Sequence, residues 1–128
     1  ECKKQFNKMY PKFSENGDYG SIINQQQFQR LQTWLDDAKA KGAQIDCLAD
    51  FNSEQCQQPR KMPLTLITKV NDDMLLMQDE IFGPLLPIIG YKSLDDAITY
   101  INERPRPLAL DHWPCIYAAM IFRLSKRY

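Results

Sequence analysis

The sequence predicts an α/β protein, a layered sheet with flanking helices, and three observations carry that prediction. Two short apolar runs, "LTLITKV" (64–70) and "LLPIIGY" (85–91), have the near-continuous hydrophobicity of buried strands. A capped segment with an apolar stripe at helical spacing occupies residues 24–41. A second capped segment follows the strands, and the order strand, strand, helix belongs to a layered sheet.

The elements follow in chain order. Phe6, Met9 and Tyr10 recur at helical spacing among lysines, so residues 1–10 read as the end of an amphipathic helix stopped by Pro11. "SENGDYG" (14–20) is a loop of turn formers. Asn24 caps the next helix, with Gln27 three residues on, and Phe28, Leu31, Leu35 and Ala38 form its buried stripe. Lys39 and Lys41 suit the negative end of the helix dipole, and Gly42 stops it. "AQIDCL" (43–48) is a short strand, and the polar stretch 50–61 is a surface loop. The two apolar runs are separated by the "NDD" turn (71–73), and Pro87 limits hydrogen bonding in the second of them. Ser93 and Asp96 make a capping box before a helix whose buried stripe is Leu94, Ala97, Ile98 and Ile101, ended by "RPRP" (104–107).

A chain of 128 residues suits one core, and 44% apolar with 25% charged residues is ordinary for a globular protein. Sixteen basic residues balance sixteen acidic ones, which argues against nucleic acid or an anionic membrane as partner. No apolar run approaches a membrane span, and "ECKKQFNKMY" lacks the apolar block of a signal peptide. A cytoplasmic location is therefore expected. The first residue is not Met, which points to an internal position in a longer coding sequence.

Cys2, Cys47, Cys56 and Cys115 match no zinc spacing, and His112 is the single histidine, so no metal site is predicted. Reduced thiols are the expected state. Asp72 and Asp73 read as a turn, Asp95 and Asp96 as a helix N-terminus, and Met74 and Met77 as core filling.

"DEIFGP" (79–84) asks for more than a turn. Gly83 and Pro84 suffice to bend the chain, yet a carboxylate and a phenyl ring stand beside them. With the strand, helix and Arg-Pro pattern that follows, "MQDEIFGPLLPIIGYKSLDDAITYINERPRPLAL" (77–110) resembles the C-terminal part of an aldehyde dehydrogenase catalytic domain, and "EIFGP" is that family's motif. "DYGSIINQQQFQRLQTWLDDAKAKGAQI" (18–45) is similar to the same proteins further upstream. That stretch, with "RPRPLAL" (104–110), most resembles the bacterial coniferyl aldehyde dehydrogenase branch. The resemblance covers residues 1–110, a partial catalytic domain, and leaves 111–128 as a divergent C-terminal tail.

The resemblance implies NAD or NADP as cofactor, with Glu80 accepting the hydroxyls of the nicotinamide ribose and Phe82 packing beside the same end. A carboxylate accepts two hydroxyls at once, and an aromatic face is a flat wall for the nicotinamide. It also implies homo-oligomers for the parent enzymes. The family's nucleophilic cysteine stands in a Gly-Gln-x-Cys context, and none of the four cysteines here has one. The general-base glutamate and the Rossmann domain correspond to positions before residue 1, so no catalytic residue is assigned. The reading is a fragment of an NAD(P)-dependent aldehyde dehydrogenase, inactive alone and holding no cofactor tightly. Its alternative is a non-catalytic interaction module derived from that fold, in which the apolar tail segment 116–124 forms a helix or strand laid on apolar surface.

Overall fold

The computed structural model describes residues 1–49 and 60–104, together with the backbone of 107–113 and 118–123. Helix α1 runs over Cys2–Met9 and buries only Phe6; Pro11 lies beyond its C-cap, Tyr10. Helix α2 runs over Gln25–Ala40. The Asn24 side chain accepts from the Gln27 N–H at 2.8 Å, which satisfies a donor that the first helical turn leaves orphaned. At the other end Gly42 takes φ +89°, the left-handed conformation that glycine adopts without steric cost. Its N–H donates to Lys39 O at 3.1 Å and the Ala43 N–H to Ala38 O at 2.9 Å, a Schellman ending.

Three strands form one sheet in the order β1-β2-β3: Gln44–Cys47 (β1), Thr65–Thr68 (β2) and Leu85–Pro87 (β3). β1 pairs antiparallel to β2 with Ile45 opposite Ile67, and β2 pairs parallel to β3 with Leu66 opposite Leu86. A parallel pair needs a long crossover. Here it is made by residues 69–84, which contain a 3-10 turn at Leu75–Met77. Helix α3 spans Leu94–Asn102. Pro107–Trp113 (β4) and Ala118–Arg123 (β5) form a separate antiparallel hairpin, so the tail segment adopts the strand option. The surface it was expected to cover, together with the side chains of His112 and Cys115, lies outside the described residues, as do Cys56 and most of the polar loop.

β2 is the hinge of the packing because its two faces serve two cores. Ile67 and Leu85 join Phe28, Leu31, Trp34, Ala38, Met62, Met74 and Leu76 on the α2 side. Leu66 turns to the opposite side and packs with Leu64 on a second cluster of Phe6, Phe13, Leu48 and Ala49. Tyr19 closes that cluster edge-on to Phe6, Tyr10 and Phe13, with ring centroids 5.0–5.7 Å away. Its hydroxyl donates to Met62 O at 2.7 Å, and burial pushes its pKa up to about 12.

Three expectations need correction. The run 85–91 is strand only over Leu85–Pro87; the Ile88 N–H still bonds Ile67 O, but the ladder ends there, where Pro87 offers no donor. The α2 stripe includes Trp34, which is buried, whereas Leu35 is only partly so. The stripe on α3 is not a buried one: Leu94 is 58% exposed and Ile98 46%, and Ala97 and Ile101 are only partly covered. The capping box of α3 is nevertheless complete, with Ser93 and Asp96 exchanging both bonds at 3.1 Å. Arg104 ties its end to the start of the crossover, pairing with Asp72 and lying over the Tyr100 ring.

The end of α2 is fastened to the crossover through Asp37. Its carboxylate pairs with Lys41 at 2.7 Å and accepts from the Leu75 N–H at 2.8 Å. Lys41 in turn donates to Asp73 O at 2.6 Å. The Lys41 bond, then the Leu75 bond, hold the Asp37 pKa below its ordinary 3.8. A depressed folded pKa means the stabilisation is complete above the unfolded value and lost as pH falls through the folded one. The stability difference between the unsubstituted chain and Asp37→Asn should therefore be constant above about pH 5 and close on acidification below about pH 4. Urea unfolding across pH measures it, and a difference that does not change down to about pH 3 would show that the Asp37 charge contributes nothing.

Candidate functional site

Residues 80–84 form a strap that leads from the 3-10 turn to β3 across the first turns of α2. Its anchor points are all backbone or apolar. Arg30 of α2 donates from Nη1 to Glu80 O at 3.3 Å and from Nη2 to Ile81 O at 2.6 Å. The guanidinium lies over the Trp34 ring, 4.3 Å from its centroid, so an arginine and an aromatic one helical turn apart make a platform for the strap. The Ile81 side chain packs against the main core. Pro84 O accepts from the Thr65 N–H at 2.8 Å, which carries the strap into the sheet.

Gly83 comes so near α2 that a Cβ there would stand 2.5 Å from Leu31 Cδ1 and 2.9 Å from Cδ2. Glycine is required here for proximity. Phe82 has the opposite character: it holds φ +45°, where a Cβ is strained, and it is 75% exposed. Burial thus does not explain Phe82, and its backbone conformation opposes it. Non-glycine residues in such conformations persist where the surroundings over-determine them, and they gather at ligand sites. Glu80, two residues earlier, is half-buried. The strap therefore carries both residues that the sequence singled out. A carboxylate accepts from two hydroxyls at once, and an uncovered ring offers a flat apolar face.

Of the four cysteines, the structure describes Cys2, exposed, and Cys47, half-buried on β1 with Thr65 Oγ1 3.6 Å from its sulfur. Among the described residues, no three His, Cys, Asp or Glu side chains gather as metal ligands, and no helix is long and apolar enough to cross a membrane. Sequence reasoning missed Arg30, Trp34 and the approach of Gly83 to Leu31. The spacing of Arg30 and Trp34 was visible, but nothing local says what the pair holds.

Residues 2–110 match the sequence profile of the aldehyde dehydrogenase family. The chain belongs to that family. It is 52% identical over 101 residues to a probable coniferyl aldehyde dehydrogenase of Pseudomonas aeruginosa, covering 79% of this chain and 20% of that protein. The solved structure of Staphylococcus aureus AldH in its substrate-bound state superposes with a TM-score of 0.68 at 37% identity, over 82% of this chain and 22% of that one. A Mycobacterium tuberculosis aldehyde dehydrogenase solved with NAD+ matches at a TM-score of 0.52 and 28% identity, over 62% of this chain and 16% of that one. The chain thus spans about a fifth of the length of the curated aldehyde dehydrogenases it matches. The strap lies inside the matched residues.

Two substitutions separate packing from purpose on the strap. Leu31→Ala should cost about 2–5 kcal/mol, because a fully buried leucine of the main core loses its methyl contacts. Gly83→Ala should cost about 1–3 kcal/mol by overpacking. The double variant should cost less than the sum, since the new methyl enters the space Leu31 leaves. Additive losses in denaturant melts would place the two sites out of contact.

Phe82→Gly should leave stability unchanged or raise it by up to about 1 kcal/mol, since strain is relieved and little burial is lost. A loss above about 1 kcal/mol would show that the ring is a folding residue.

Proposed function

We propose that the chain is part of the catalytic domain of an NAD(P)-dependent aldehyde dehydrogenase acting in the cytoplasm, and that its strap holds the nicotinamide-ribose end of the cofactor. The observation that carries this reading is Phe82: a strained, uncovered ring beside a carboxylate, on a strap whose own anchors use neither side chain. The two side chains suit the group. Glu80 accepts from the paired hydroxyls of a ribose, and charge-assisted bonds of that kind are the stronger ones. Phe82 supplies a wall against which a flat ring is oriented and from which water is excluded. When bound, the nicotinamide accepts a hydride as the aldehyde is oxidised to the carboxylate. The coniferyl aldehyde dehydrogenases among its relatives support an aromatic aldehyde as the substrate class. The even charge balance argues against nucleic acid as a partner.

These 128 residues contain no cysteine in the Gly-Gln-x-Cys context. Aldehyde oxidation needs a thiolate to attack the carbonyl, a base to activate water for deacylation and a held nicotinamide. Glu80 and Phe82 serve part of the last requirement only. The purified chain should therefore form no reduced nicotinamide from coniferyl aldehyde or a simple aldehyde with either cofactor. Chain-dependent turnover abolished by Cys56→Ala or Cys115→Ala would overturn this and reveal a recruited nucleophile.

A further inference from the structure

Glu80 and Phe82 are placed by a backbone that is neither helix nor strand, so something must fix its path. In an extended chain, successive carbonyls point to opposite sides. One side chain reaches two of them together only where the chain bends. Arg30 reaches Glu80 O and Ile81 O from the two arms of one guanidinium. The contact immediately precedes Phe82, the residue of the strap with positive φ. The Trp34 ring supports one face of the guanidinium, and Trp34 is itself 7% exposed and part of the core. The fork is therefore held by a ring on one face and by two carbonyls at its edge, and its planar geometry is what converts those carbonyls into a fixed bend. Lysine offers one flexible point charge and cannot reproduce it.

We propose that Arg30 is the positioning residue of the strap. By holding the 80 and 81 carbonyls, it keeps Phe82 in its left-handed conformation and fixes the direction of Glu80, so that carboxylate and ring are pre-set for a nicotinamide ribose. The inference rests on the cofactor reading of Glu80 and Phe82. It assigns Arg30 no contact with the reacting atoms; its effect passes through the backbone. Pre-setting the strap removes an ordering cost that binding would otherwise meet.

The test uses the 128-residue chain labelled for NMR, with nicotinamide mononucleotide as probe, because that molecule carries the ribose and the ring without the rest of a dinucleotide. Variants are Arg30→Lys, Glu80→Gln and Phe82→Ala. The readouts are the amide resonances of 80–83, the strong intraresidue amide–Hα Overhauser effect that marks positive φ at Phe82, and the dissociation constant taken from the shifts. Resonances far from the strap report whether each variant is folded; should Arg30→Lys unfold the chain, Arg30→Gln replaces it. Arg30→Lys is expected to move the 80–83 amides, weaken the Phe82 Overhauser effect and lower affinity by about tenfold, the equivalent of one charge-assisted hydrogen bond. An unchanged strap spectrum in Arg30→Lys would overturn the inference. So would a moved spectrum with unchanged affinity while Glu80→Gln binds more weakly, for then the clamp is structural only. If neither Glu80→Gln nor Phe82→Ala alters binding, or the probe shifts nothing at 80–83, the cofactor reading itself fails and the positioning role falls with it.

Discussion

Leu31 lies with its methyl groups against the α-carbon of Gly83, and this approach sets the distance at which everything else around α2 is arranged. No side chain fits between helix and strap there, so the strap lies directly on the helix and its carbonyls fall within reach of Arg30, one residue before Leu31. The same helix face continues into Phe28, Trp34 and Ala38 and covers the sheet. One helix thus sets both the core and the candidate site. A change at Leu31 is felt in packing and in the placement of Glu80 and Phe82 together.

The sheet between the two clusters shows why four-residue strands suffice. β2 is covered on both faces, by α2 through Ile67 and by the N-terminal aromatic group through Leu66, and it is hydrogen-bonded on both edges. Its alternate residues are divided between two cores. Burial on both sides explains the near-continuous apolar sequence of this segment. β1 has the alternating, half-exposed pattern of an edge instead. Thr65, the polar residue of β2 that is fully buried, is satisfied by Pro63 O at 3.0 Å and the Cys47 sulfur.

Legibility in the sequence followed the range of the interaction. The Asn24 cap, the Gly42 ending and the Ser93–Asp96 box each involve residues three to five apart, and each was readable as a pattern. The α3 stripe was readable as amphipathic, but periodicity says that a face is apolar, not that a partner covers it; Leu94 and Ile98 are exposed. The strand ending at Pro87 was signalled by that proline, yet the apolar residues beyond it obscured the signal. At the strap, the motif identified Glu80 and Phe82, while the positive φ of Phe82 and the grip of Arg30 arise from contacts between distant parts of the chain, which no local window contains.

The separation of those contacts along the chain also bears on local stability. Arg30 meets the strap across 50 and 51 residues, whereas β1 meets β2 across about twenty. Closing the larger loop costs more chain entropy, by about 0.7 kcal/mol, whereas the end of the strap joins β2 through β3 across only 20 residues. The strap is held by a few bonds around a strained residue, so its local opening costs less than opening the sheet. Segments of low local stability exchange their amide hydrogens through small openings while the rest stays folded. The candidate site is accordingly joined to the rest of the fold by contacts that can open locally while α2 and the sheet stay folded.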